Sequence, residues 1–248
     1  MAARQHIVEP TQDHSHTFIF LHGRDSTAEE FALEFFECQA SDDRTFPEIY
    51  PSIKWIFPTA KTLMSERFGT EMSQWFDMWS TEDPEERDDI PLAGLRDSVI
   101  FLRNLIRREA EDLGDSKRII LGGISQGCAT AIHAFFNSEV GPLGGFIGLC
   151  SWLPTKGKLK DARKLLDIGT SDVTDSHTKE DILQTPVFLA HSLADPVINI
   201  KYGVKLQRSL RDLGMTVEWK TYDNEEHWIT EPQGVDDIIT FLNKTINS

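Results

Sequence analysis

Cysteine is scarce: there are three in 248 residues, Cys38, Cys128 and Cys150. An odd, widely spaced set excludes a disulfide framework and a zinc-ribbon pattern. No apolar run approaches the ~20 residues needed to cross a bilayer, so stable membrane insertion is not expected. Positive charge is also short, with 25 Lys and Arg against 40 Asp and Glu and a net charge of −15. Phosphate backbones are bound by clustered Lys and Arg, so nucleic acid is not an expected partner. The nearest basic group, Arg103, Arg107 and Arg108, is followed at once by Glu109, Glu111 and Asp112, as on a solvated helix face. The N-terminus lacks the apolar core of a signal peptide, and Ala2 stands where myristoylation needs glycine. A reducing, cytoplasmic setting is the expectation.

What is present fits one globular domain over residues 1–248, with 40% hydrophobic and 26% charged residues. Apolar runs at 17–21, 53–57, 118–121, 145–149, 187–191 and 216–222 read as strands. Most are continuous rather than alternating, as expected when both faces of a parallel sheet are covered. Helical spacing fills the gaps, at 92–113, 198–213 and 235–246. Alternation of this kind predicts an α/β fold, a mostly parallel central sheet flanked by helices on both faces. Residues 1–16 read as an N-terminal extension or edge strand, and 155–181 as a polar surface excursion. The stretch 59–87 carries Phe68, Trp75, Phe76 and Trp79 among polar residues and reads as a wall beside a site.

The strongest local signal is Gly123-Ile124-Ser125-Gln126-Gly127. It follows an apolar strand and opens an apolar helix, the context a nucleophile elbow requires. A sharp turn there lifts Ser125 Oγ clear of the backbone, and the new helix aims its positive end at a developing oxyanion. A serine hydroxyl also needs a base, and the base needs an acid behind it. Asp195 follows the strand at 187–191, and His227 follows the strand at 216–222. Both stand after strand C-termini, where open α/β sheets gather ligands. Asp223, Glu225 and Glu226 are rival acids, but lie too near His227 in sequence to orient it easily. The backbone N–H groups of Gln126 and Arg24 are the candidate oxyanion donors, Arg24 lying in the loop His22-Gly23-Arg24-Asp25 after the first apolar run. No His pair has metal-ligand spacing on a helix face, and no metal or other cofactor is expected.

These residues resemble the acyl-protein thioesterase, or phospholipase/carboxylesterase, family of α/β-hydrolases. The matching stretches are Phe20-Leu-His-Gly, Phe57-Pro-Thr-Ala, Gln74-Trp-Phe-Asp77, Leu121-Gly-Gly-Ile-Ser-Gln-Gly127, Gly148-Leu-Cys-Ser-Trp-Leu-Pro154, Asp195-Pro-Val197 and His227. The resemblance implies a serine hydrolase cleaving carboxylic esters or acyl thioesters through an acyl-enzyme, with Ser125, His227 and Asp195 as triad. It implies a small-molecule or protein-linked acyl substrate, with Trp75, Phe76 and Trp152 lining or supporting the acyl groove. Alternatives are a lysophospholipase or small-ester carboxylesterase of the same family, or a silent hydrolase-like binding protein. A monomer or weak homodimer is expected. Four departures stand out. The family's His-Gly-x-Gly-Asp is here His22-Gly-Arg-Asp25, tighter and without the second glycine. Ser192 replaces glycine after His191, Ala194 replaces an acid before Asp195, and Glu226 replaces glycine before His227.

Overall fold

The computed structural model describes residues 5–154, 166, 168 and 181–246. Most of the polar stretch 155–181 lies outside the described residues.

Nine strands and six helices matter for the site. In chain order they are β1 (Gln5–Val8), β2 (His16–Leu21), α1 (Ala28–Glu37), α2 (Phe46–Ile49), β3 (Ile53–Pro58), β4 (Lys61–Met64) and β5 (Glu71–Gln74). Then come α3 (Leu92–Leu113), β6 (Ile119–Ile124), α4 (Gln126–Phe136), β7 (Gly145–Leu149), β8 (Val187–Ser192), α5 (Ile200–Asp212), β9 (Val217–Tyr222) and α6 (Gln233–Ile246). Seven strands form one sheet in the order β1-β3-β2-β6-β7-β8-β9. Among the described residues, the β1–β3 pair is the one antiparallel pairing within this sheet.

The sheet forms because side chains alternate across it and both sides find cover. On β2, Ile19 and Leu21 pack into one core with Leu95, Val99 and Leu102 of α3, Ile132 of α4 and Leu206 of α5. Phe18 and Phe20 enter the opposite core with Phe31 and Phe35 of α1 and Val235, Ile238 and Phe241 of α6. The second core is rich in rings; Phe35 and Phe46 stack with centroids 4.6 Å apart. Burying each such ring contributes about 1.5–3 kcal/mol.

Helix ends follow local chemistry. Thr27 and Glu30 form a reciprocal capping box at the start of α1. Asn199 caps α5, its side chain accepting from Lys201 N–H. Gly114, at φ 71°, closes α3 after its last apolar turn.

Several boundaries differ from the sequence expectation. Arg118 belongs to a 3₁₀ turn rather than a strand, because its guanidinium ties the carbonyls of His14, Ser15 and Leu113 together. The strand instead runs on to Ile124, into the motif itself. Within 59–87 the chain forms the two-stranded hairpin β4–β5, which the polar residues there do not advertise.

Candidate active site

The pairing register gathers strand ends at one edge of the sheet. Leu21 pairs with Gly123, Ile124 with Leu149, Leu149 with Ala190, and Ser192 with Tyr222. The loops leaving β2, β6, β7, β8 and β9 therefore share one rim, and every residue proposed from the sequence for the reaction lies on it.

Ser125 sits at the β6–α4 turn with φ 53° and ψ −123°, a conformation L-residues rarely take. Three hydrogen bonds hold it there. Its N–H donates to Leu149 O at 2.9 Å, and its carbonyl accepts from Ala129 N–H at 3.0 Å and Ser151 Oγ at 2.7 Å. The flanking glycines are required by space. A Cβ on Gly127 would lie 2.4 Å from the carbonyl oxygens of both Leu21 and His22, and one on Gly123 would lie 2.7 Å from Cys128 N. The side of Ser125 facing the β2 loop is open enough for Gly23, whose added Cβ would meet Ser125 Cβ at 3.7 Å. Ser125 retains 8% of its surface, so the hydroxyl is near solvent but shielded.

The Asp195 side chain is fully enclosed, although the residue as a whole is half-buried. Its Oδ1 accepts from the N–H groups of Val197 and Ile198 at 2.8 and 2.9 Å, and its Oδ2 meets His227 Nδ1 at 2.7 Å. Burial opposes its charge, but the nearby His191 ring, 3.3 Å away, and hydrogen bonds from His227 and Ile198 N–H hold the carboxyl well below the usual carboxylate range. An ionised carboxylate only accepts, so the His227 proton resides on Nδ1 and Nε2 is left basic. The His227 side chain is 19% exposed, the partial access a proton-transfer group needs. No hydrogen bond joins Ser125 Oγ to His227 among the described residues, and such bonds commonly tighten only with substrate bound.

Cys150 stands one residue past Leu149, the residue that anchors Ser125. Its Sγ lies within 4.8 Å of the nearest ligand atoms of Asp195 and His227. Burial and the adjacent Asp195 push its thiol far up, which keeps it an S–H donor rather than a nucleophile.

Two candidate oxyanion donors flank the elbow. The Gln126 N–H belongs to the first turn of α4 and has no intrahelical acceptor. The Gln126 side chain is locked below the site, accepting from Trp75 N–H and donating to Phe76 O, both at 2.9 Å. Arg24 lies beside Asp25, whose φ of 62° supplies the left-handed turn that glycine would otherwise provide. The loop therefore keeps its turn without a second glycine. The Arg24 guanidinium reaches into the hairpin, donating to Gln74 Oε1 at 3.0 Å and Ser65 Oγ at 3.1 Å, with Asp77 Oδ1 at 3.5 Å. Asp25 N–H adds a backbone bond to Ser73 O. The hairpin thus clamps the loop that carries one donor. Nothing local in the sequence marks Ser65, Gln74 or Asp77 for this role, since each lies more than forty residues from Arg24.

Trp75, Phe76 and Trp152 are buried in the core beneath the rim, at 1%, 1% and 2% exposure. Trp75 Nε1–H donates to His22 O, and Phe76 packs edge-on to Trp152. His22 is a buried neutral residue, its ring accepting from Ala60 N–H and donating to Gly23 O, with its pKa lowered by burial.

A family model described as phospholipase/carboxylesterase matches residues 2–246. The acyl-protein thioesterase 1 of Gibberella zeae is 30% identical over 237 residues, covering 94% of this chain and 92% of that protein. That of Yarrowia lipolytica is 30% identical over 238 residues, covering 94% and 93%. Among solved structures, acyl-protein thioesterase 2 of Zea mays superposes with a TM-score of 0.75 at 25% identity, covering 98% of this chain and 99% of that one.

Proposed function

This chain belongs to the phospholipase/carboxylesterase family of α/β-hydrolases, and we propose that its hydrolysis of carboxylic esters and acyl thioesters runs through Ser125, His227 and Asp195. One observation carries the assignment: Ser125 occupies a strained strand-to-helix turn on the rim that also holds the 2.7 Å His227–Asp195 pair.

His227 Nε2 takes the Ser125 proton as Oγ attacks the acyl carbonyl. The tetrahedral oxyanion is met by the N–H groups of Gln126 and Arg24, at the positive end of α4. His227, now imidazolium and steadied by Asp195, gives its proton to the departing thiol or alcohol. Water then enters, deprotonated by His227, and attacks the acyl-enzyme. Ser125 leaves reprotonated and the acid is released. No step draws on a metal or other cofactor.

The substrate is an acyl chain linked to a small molecule or a protein. Similarity to acyl-protein thioesterases supports a protein-linked thioester as one substrate class. The setting is a reducing one, in keeping with three free, buried cysteines. The chain acts as a monomer or weak homodimer.

Hydrolysis of p-nitrophenyl esters from acetyl to dodecanoyl tests the substrate class. With a true acyl groove, kcat/KM rises with length, each buried CH₂ contributing up to about 0.8 kcal/mol. Turnover confined to acetyl and butyryl esters contradicts a lipid-sized groove.

A further inference from the structure

The triad carboxylate is touched by a second histidine. His191, the penultimate residue of β8, is 1% exposed and places Nε2 2.8 Å from Ile198 O and 3.3 Å from Asp195 Oδ2. Neither partner can donate: one is a carbonyl and the other an ionised carboxylate. Nε2 therefore carries the proton, hydrogen-bonded to the Ile198 carbonyl and held 3.3 Å from the Asp195 carboxylate, within reach of its charge. Ile198 closes the ring, because its own N–H donates to Asp195 Oδ1. Both carboxylate oxygens are then held from behind, Oδ1 by backbone and Oδ2 by His191, leaving Oδ2 aimed at His227.

The opposite face of the imidazole argues that this N–H, placed between the Ile198 carbonyl and the Asp195 carboxylate, is why a histidine stands here. Nδ1 is buried with no hydrogen-bond partner. An orphaned buried polar atom costs about 1–3 kcal/mol, which a phenylalanine or leucine filling the same space would avoid. The neighbouring helix has also been cut back to admit the ring. A Cβ on Gly203 in α5 would lie 2.5 Å from His191 Nδ1. A glycine inside a helix is unfavourable by up to about 1 kcal/mol relative to alanine. An unsatisfied nitrogen and a helix glycine are both tolerated to keep one N–H on the carboxylate.

We propose that His191 is a positioning residue for hydrolysis, its Nε2–H fixing the Asp195 carboxylate in the plane and direction that orient His227. It is too deeply buried to meet substrate, so it acts only through Asp195. The inference rests on the Ser125–His227–Asp195 reading.

The test is kcat and KM on one p-nitrophenyl ester for His191→Phe, His191→Gln, Gly203→Ala and Asp195→Asn, with thermal unfolding of each. Asp195→Asn should lose roughly 10⁴-fold in kcat, as expected for the acid itself. His191→Phe keeps the packing without the donor, and should lose about tenfold in kcat with KM within twofold, short of the loss at the acid. His191→Gln puts an N–H near the Nε2 position and should recover most of the loss, which a purely structural role would not allow. Gly203→Ala keeps His191 but displaces its ring, and should lower kcat without raising KM. It serves in place of His191→Phe should that variant not fold. The inference is overturned if Asp195→Asn is inactive while the folded His191→Phe, or Gly203→Ala, keeps wild-type kcat. It is overturned also if His191→Gln is as slow as His191→Phe. Activity retained by Asp195→Asn would instead overturn the triad reading, and this inference with it.

Discussion

Asp195 Oδ2 lies 2.7 Å from His227 Nδ1, joining two loops 32 residues apart in the chain. That contact is made by register. β8 and β9 pair in parallel up to Ser192 and Tyr222, so the loops leaving them start level. Leu193 N–H then bonds Tyr222 O, and Ala194 N–H bonds Asn224 O, stitching the loops together just short of the two side chains.

Gly127→Ala should destabilise the protein by about 2–3 kcal/mol or more, since its Cβ would meet two backbone carbonyls at 2.4 Å. Neither carbonyl can swing aside as a flexible side chain would. Urea denaturation checks this, and a midpoint equal to wild type would refute the close approach of α4 to the β2 loop.

Asp25 holds a positive φ in a loop where glycine would be the easier choice. Asp25→Gly should keep both activity and stability, the latter within about 1 kcal/mol. Asp25→Val should lose about 1–2 kcal/mol and much of kcat, because a β-branched residue resists that conformation. Equal behaviour of the two variants in unfolding and turnover would count against a strained turn.

Arg24→Leu removes the clamp between the oxyanion loop and the β4–β5 hairpin while leaving the Arg24 backbone N–H in place. We expect kcat to fall by roughly 10–100-fold with little change in KM, because the donor is misplaced rather than deleted. Steady-state kinetics decides it. A rise in KM alone would assign Arg24 to substrate binding instead.

The Asp195 carboxyl lies below its ordinary range in the folded protein. The unfolded chain therefore binds its proton first as pH drops. The stability it contributes is complete above about pH 4 and is lost as pH falls through the unfolded value toward the folded one. The stability gap between wild type and Asp195→Asn should thus be wide at pH 6 and narrow at pH 3. A gap of constant width in urea titrations would show that the carboxylate is not held in its charged form.

Most of the sheet is legible in the sequence because β2, β3, β6, β7 and β8 are largely buried on both faces and read as mostly apolar runs. β1 carries no such run, because all four of its residues are only half-buried at the sheet edge, so the sequence there reads equally as an extension or an edge strand. The hairpin escapes because β4 is mostly exposed and β5 is polar. The turn at Ser125 is legible since Gly123 and Gly127 act within five residues of chain. The Arg24 clamp and the His191 contact are not. Each depends on which strand end or loop faces another, and His191 in a buried apolar strand reads as ordinary core.

The most direct measurement is labelling of the intact protein with a fluorophosphonate, followed by mapping of the modified peptide. One equivalent should attach at Ser125, at a rate cut by orders of magnitude in His227→Ala and abolished in Ser125→Ala. Labelling at another residue, or none in protein shown to be folded, would contradict Ser125 as the activated nucleophile.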